Sequence, residues 1–358
     1  MYKLLIAASG TGGHIFPALA VAEAMPTSWK VTWLGVPDRL ESHVLPFKYD
    51  LETVRVGGLQ GGGIRKLFNF LRLLFSVIEV FFLIRNKKIN VVFTTGGYIA
   101  APAILAAVLS RVPIVLHESN AEPGRVTRLL GKFCWIVAIG FEEAANRLKG
   151  CRTLFTGTPV RSSFLELRTL PQWVPKGQGP LIVVMGGSQG AIGLNNIVRL
   201  VIPGLLELGC RIVHLTGNND KNSKKIINQA FVEKSFSDEI PALLQNCDLV
   251  ISRAGAGALC ELALCGTPAI LIPYPHAKDK HQDFNALCVA RIGAAVIVHQ
   301  DPLAHEELWN ILCHLLKNRL AKDSNESDPL IDMRAAMKSL SVFNSETKIV
   351  QIIEELIS

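Results

Sequence analysis

The feature that most constrains this chain is an alternation of short aliphatic or β-branched runs with helical patterns, and it occurs twice. The runs fall at 3–8, 30–34, 91–95, 113–117 and 135–139, then again at 181–185, 211–215, 248–252 and 269–273. Apolar strands of that length, separated by helices, specify parallel sheets in an α/β fold. Between the two sets lies Glu166 to Pro180, with three prolines and no apolar period. A domain boundary is therefore expected near residues 161–165, giving domains over 1–162 and 163–344. A chain of 358 residues is long enough for two cores.

The two halves echo each other. Val91 to Gly97, a helix, Val112-Pro113 and a strand are repeated as Leu249 to Gly255, a helix, Thr267-Pro268 and a strand. Likewise Gly10-Thr11-Gly12-Gly13 after the first strand is matched by Gly186-Gly187-Ser188-Gln189-Gly190 after Leu181 to Met185. Two Rossmann-like halves facing across a cleft would oppose the carboxyl ends of both sheets, where such folds bind ligands. The residues alone leave open which half the last helix, about 345–358, joins.

A strand that ends in Gly10-Thr11-Gly12-Gly13-His14 and runs into a helix opens backbone N–H groups toward an anion, most often phosphate. Loops 96–98, 186–190 and 253–257 are of the same kind. The spacing is neither GxGxxG nor a P-loop, so a dinucleotide oxidoreductase is disfavoured, although Asp38 stands where its acidic residue would. His14 sits where a ring at a helix N-terminus can take up a proton, as a general base must. His117-Glu118-Ser119-Asn120 closes a strand at the same expected end of the first sheet. In the second half, Glu261 is placed to accept hydrogen bonds from a ribose diol, and Gln282 and Asn285 can read sugar hydroxyls. With Ser188 and Arg161 they describe a nucleotide-sugar site.

The formal charge of +7 suits an anionic partner. Its basic residues are scattered without aromatic platforms outside 67–88, which excludes a nucleic-acid module. Eight cysteines with no CxxC pair point to a reducing compartment and no zinc site. The apolar stretch at residues 3–8 is too short for a signal peptide. Leu67 to Ile84 approaches spanning length, but Arg72 and Glu79 inside it argue against a membrane span. Flanked by Arg65, Lys66, Arg85, Lys87 and Lys88, the segment at about 64–88 instead suits an anionic membrane surface. Within it, Phe68, Leu71, Leu74, Phe75, Ile78 and Phe82 form a stripe expected to face the core, leaving Phe70, Leu73, Val77, Phe81 and Ile84 to another cover.

Several segments, in order, resemble the MurG family: GTGGHIFPALA at 10–20, GGYIAAPAILAA at 96–107, HESN at 117–120, GTPVR at 157–161, GGSQGA at 186–191, SRAGA at 252–256, Glu261, and Gln282 with Asn285. The resemblance implies the GT-B glycosyltransferase fold, with the acceptor on the first domain, UDP-sugar mainly on the second, and the last helix crossing back to the first. It implies an inverting transfer of N-acetylglucosamine from UDP-N-acetylglucosamine to a polyprenyl-diphosphate-linked muramoyl-pentapeptide in peptidoglycan synthesis, without cofactor or metal, by a peripheral protein on the cytoplasmic face of the membrane. By the same resemblance Thr11, Gly12, Gly13 and Asn120 would line the site. Arg161 and Ser188 would lie near donor sugar and diphosphate, Glu261 on the ribose and Gln282 on the sugar hydroxyls, with Arg253, Ala256 and Asn285 among the substrate-binding residues. Tyr98 would serve the acceptor side, and His14 or Glu118 would deprotonate the acceptor 4-hydroxyl, His14 being the preferred base and Glu118 its orienting or alternative partner. Two departures stand out. Gly257-Ala258 replaces a segment that often carries a threonine, and His281-Gln282 replaces paired glutamines, so only Gln282 is carried over.

Overall fold

A computed structural model describes residues 1–56, 64–187, 190–220, 226–320 and 327–357. Its strands in chain order are β1 (Tyr2–Ala7), β2 (Trp29–Gly35), β3 (Asp50–Thr53), β4 (Val91–Thr94), β5 (Ile114–Glu118), β6 (Ile136–Ile139), β7 (Thr153–Phe155), β8 (Leu181–Met185), β9 (Arg211–Leu215), β10 (Phe231–Lys234), β11 (Leu249–Ser252), β12 (Ala269–Leu271) and β13 (Ala295–Ile297). The helices are α1 (Gly12–Ala24), α2 (Glu41–Val44), α3 (Ile64–Lys87), α4 (Gly97–Ser110), α5 (Arg125–Leu130), α6 (Ile192–Glu207), α7 (Ile240–Asn246), α8 (Ala256–Cys265), α9 (His281–Ala290), α10 (Ala304–Leu320), α11 (Pro329–Ser339) and α12 (Ser345–Glu355).

The chain forms two compact units, Met1–Arg161 with Val342–Ser358, and Ser162–Ser341. The first holds a seven-stranded sheet ordered β3-β2-β1-β4-β5-β6-β7, the second a six-stranded sheet ordered β10-β9-β8-β11-β12-β13. All pairings are parallel. Both are the doubly wound order 3-2-1-4-5-6, the first with one strand added, so the echo seen in the residues is an echo of topology. This is the two-sheet α/β architecture of GT-B glycosyltransferases.

Each sheet is buried on both faces, which is why its central strands read as unbroken apolar runs. In the first unit Leu5, Ala7, Val92 and Leu116 pack under α3 and α4. Leu4, Ile6, Phe93 and Val115 face the other way, against α1 and against Ile349, Val350 and Ile353 of α12. The approach of α12 depends on Gly157, at φ +72, where a Cβ would lie 2.5 Å from Val342 Cβ. The strands without a clear sequence signal, β3, β7, β10 and β13, are the sheets' edge strands; they are three or four residues long and only partly buried.

Helix α3 corrects the expected assignment of faces. Val77, Val80 and Ile84 are buried and Leu73 and Phe81 pack against them, whereas Phe68, Leu71, Leu74, Phe75, Ile78 and Phe82 are exposed. The helix carries apolar residues on both flanks of a polar stripe that includes Arg72, Ser76 and Glu79, and packing on the neighbouring α4 covers one flank and leaves the other exposed. No helix among the described residues is long and apolar enough to cross a membrane.

Candidate active site

In each sheet the strand order reverses between two neighbours, β1 and β4 in the first, β8 and β11 in the second. The glycine loops follow the carboxyl ends of these four strands, at the switch points where open α/β sheets bind ligands.

In the first unit Thr11 caps α1, and its carbonyl accepts the N–H groups of His14 and Ile15 at 3.0 and 3.2 Å. Thr11 and Gly13 are exposed, Gly12 half-buried. His14 is half-buried and its Nδ1 lies 2.7 Å from the Thr95 carbonyl. A carbonyl can only accept, so Nδ1 is the donor of this bond, and in a neutral ring Nε2 is the nitrogen that carries the lone pair. Thr95 Oγ1 in turn donates to the His14 carbonyl at 2.9 Å. The ring lies against the second glycine loop: a Cβ on Gly97, at φ +74, would be 3.6 Å from Nε2. Tyr98, in the first turn of α4, is exposed beside it.

Glu118 is buried at the end of β5, and both its oxygens are committed. Oε1 accepts from the backbone N–H and side-chain amide of Asn120, each at 3.1 Å. Oε2 accepts from the Gly124 N–H at 2.9 Å and Thr127 Oγ1 at 2.6 Å. Thr127 Oγ1 also lies 3.8 Å from where a Cβ on Gly96 would stand, and His14 Cε1 lies at the same distance. The structure thus joins His14, loop 96–98, Thr127, Glu118 and Asn120 into one cluster, with Glu118 shaping the loop after β5. The neighbouring His117 is fully buried, which pushes its ring down to about 3, so it is neutral at pH 7. Arg161 is stacked over Phe16, 4.7 Å from the ring centroid, and the Phe16 edge occupies the space a Cβ on Gly12 would need.

In the second unit Arg253 is buried after β11, and Ala256 opens α8 behind it. Its Nη1 donates to the carbonyls of Ile272 and Pro273 at 2.9 and 3.1 Å, and its Nη2 to Gln300 Oε1 at 2.7 Å. Burial pushes the guanidinium down to about 10, still protonated at pH 7. Asn285 is fully buried and donates to the Ala254 carbonyl at 3.2 Å, shaping the same loop. Gln282 Oε1 accepts the Tyr274 N–H at 2.9 Å. Glu261 is half-buried on α8. Ser188 lies outside the described residues.

The sequence reading did not single out Thr95, Thr127 or Gln300. Thr95 carried a faint signal, as the residue before Gly96-Gly97 at a strand end. Thr127 and Gln300 carried none, because their roles rest on partners 9 and 47 residues away.

Comparison with known proteins agrees along the length of the chain. Residues 4–139 match the glycosyltransferase family 28 N-terminal domain and residues 181–340 the family 28 C-terminal domain. The chain is similar to the crystal structure of Acinetobacter baumannii MurG, with a TM-score of 0.76, 28% identity, and coverage of 99% of this chain and 100% of that one. A putative UDP-N-acetylglucosamine 2-epimerase from Listeria monocytogenes, at TM-score 0.70 and 14% identity over 99% of this chain and 96% of that one, shares the fold alone. A Prochlorococcus marinus (strain MIT 9303) UDP-N-acetylglucosamine--N-acetylmuramyl-(pentapeptide) pyrophosphoryl-undecaprenol N-acetylglucosamine transferase is 58% identical over 357 residues, covering 100% of this chain and 99% of that protein. With its motifs, its two doubly wound sheets and this full-length identity in agreement, the chain belongs to the MurG family of N-acetylglucosamine transferases.

Proposed function

We propose that this chain transfers N-acetylglucosamine from UDP-N-acetylglucosamine to the 4-hydroxyl of an undecaprenyl-diphospho-N-acetylmuramoyl-pentapeptide, with inversion, in peptidoglycan synthesis. The observation that carries the catalytic assignment is the bond from His14 Nδ1 to the Thr95 carbonyl, which leaves Nε2 as the ring atom turned toward loop 96–98 and able to act as a base in the neutral ring. Nε2 takes the proton of the acceptor hydroxyl as its oxygen attacks the anomeric carbon. The bond from that carbon to the UDP oxygen breaks, and UDP leaves with the electron pair. Its charge is met by N–H groups of the glycine loops after β8 and β11 and by Arg253. Glu118 contributes by holding Asn120 and Thr127, since four donors already occupy its oxygens.

On this reading the first unit takes the acceptor, with Tyr98, Thr11, Gly12, Gly13 and Asn120 around it, and the second the donor, with Glu261 on the ribose and Gln282 on the sugar. Arg161 and Ser188 complete the donor side. The exposed apolar face of α3, with Arg85 in its last turn and Lys88 just beyond it, rests on the anionic cytoplasmic surface of the membrane that holds the acceptor.

The test is transfer of labelled N-acetylglucosamine from its UDP donor to a short-chain acceptor analogue, beside a control without lipid. β-Linked disaccharide product is expected. UDP-N-acetylglucosamine binding without product would overturn the acceptor assignment.

A further inference from the structure

The partners of Arg253 are all neutral: two carbonyls, the Gln300 amide, and the Tyr274 ring, 5.5 Å from the guanidinium. Among the described residues no carboxylate forms an ion pair with it. A buried cation without an anion is costly, and an anion arriving from outside would offset that cost. Arg253 stands after β11 and just before Gly255, the N-cap of α8, whose dipole adds positive potential at the same end of the sheet.

Gln300 follows β13 and is 47 residues from Arg253 in sequence. Its amide lies flat against Gly193 in the first turn of α6, where a Cβ would stand 2.5 Å from Nε2 and 2.6 Å from Oε1. It therefore ties Arg253 to the helix that follows the glycine loop at 186–190. We propose that Gln300 is a positioning residue that fixes Arg253 while leaving its charge uncompensated, so that this charge is available to the donor's diphosphate. The proposal rests on the donor assignment above. A glutamate in the same place would hold Arg253 at least as firmly, through a charge-assisted bond, and would cancel its charge. A glutamine holds without cancelling, and Gly193 provides the room for it to do so.

Isosteric substitution separates the two effects. Affinities for UDP and for uridine, measured by calorimetry, and kcat and KM for UDP-N-acetylglucosamine are compared among wild type, Gln300→Glu, Gln300→Met and Gly193→Ala. Gln300→Glu is expected to weaken UDP about tenfold or more, to leave uridine within about twofold, and to raise KM more than it lowers kcat. Gln300→Met and Gly193→Ala, which free the guanidinium without neutralising it, should weaken UDP less than Gln300→Glu does. UDP binding by Gln300→Glu that equals wild type, or exceeds Gln300→Met, would overturn the proposal, because a purely structural anchor is restored by a stronger acceptor. Equal losses for UDP and uridine in Gln300→Glu would overturn it too. Failure of the wild-type protein to bind UDP would instead overturn the donor assignment, and the proposal with it.

Discussion

His14 and Thr95 hold each other through two hydrogen bonds, ring Nδ1 to the Thr95 carbonyl at 2.7 Å and Thr95 Oγ1 to the His14 carbonyl at 2.9 Å. The pair joins the first turn of α1 to the end of β4 at the point where the strand order reverses. One bond engages Nδ1 and the other holds the backbone beneath the ring, so together they fix where Nε2 stands.

His14→Ala is expected to lower kcat about 10²–10⁴-fold, the usual contribution of a positioned base, with UDP affinity unchanged. Thr95→Val keeps the carbonyl and loses only the hydroxyl bond, worth about 1 kcal/mol, so its kcat should fall only several-fold. Steady-state kinetics beside UDP titrations check both, and a parallel loss of UDP affinity in His14→Ala would remove His14 from the role of base.

Glu118→Gln should act on stability as well as rate. A glutamine offers one acceptor oxygen where Glu118 offers two, and turns an NH2 toward donors that the carboxylate now accepts from. Leaving such groups unsatisfied costs about 1–3 kcal/mol each, which lowers the melting temperature by several degrees. A variant with wild-type melting and no activity would restore Glu118 as a candidate base.

The buried His117 predicts a pH dependence. Its folded pKa, about 3, is below the ordinary 6.5, so the unfolded chain binds a proton that the folded chain refuses. Stability from this group is present above pH 6.5 and is lost as pH falls from 6.5 toward 3. Between pH 7 and 5 the loss amounts to about 2 kcal/mol. Urea melts at the two pH values check this, and His117→Asn, with no ring to titrate, should remove that part of the difference.

Exposed and buried positions on α3 should separate membrane binding from folding. Phe75→Ser with Phe82→Ser removes two rings that are 66% and 56% exposed, each worth about 1.5–3 kcal/mol if buried in lipid. Sedimentation with anionic vesicles should fall at least about tenfold while the melting temperature holds. Val80→Ala, at a fully buried site, should lower the melting temperature and spare vesicle binding. Equal vesicle binding by the double variant and wild type would remove α3 as the membrane contact.

Gly157→Ala tests the docking of α12. The new Cβ meets Val342 at 2.5 Å with φ at +72, and overpacking of this kind costs about 1–3 kcal/mol before backbone strain is added. A lower melting temperature is expected, and wild-type melting would show that the 342–345 segment yields freely.

What the sequence by itself determined is local. Central strands such as β1, β8 and β11 are apolar because both faces are covered, and loops 10–13, 96–98 and 186–190 are glycine-rich because turns that lead straight from a strand into a helix need positive φ or close approach. Those signals, with their order along the chain, sufficed for the α/β class and the family. The tertiary structure alone decided what depends on distant partners. The edge strands β3, β7, β10 and β13 are only partly buried, so they carry no unbroken apolar run to announce them, and they pair because a neighbour offers them a hydrogen-bonding edge. The inward face of α3 was set by packing, since both flanks of its polar stripe are apolar. The hydrogen bonding of His14, the saturation of Glu118 and the neutral surroundings of Arg253 arise from residues up to 81 positions apart. No local pattern encodes such pairs: a side chain's chemistry is finished by whichever groups the folded sheet brings beside it.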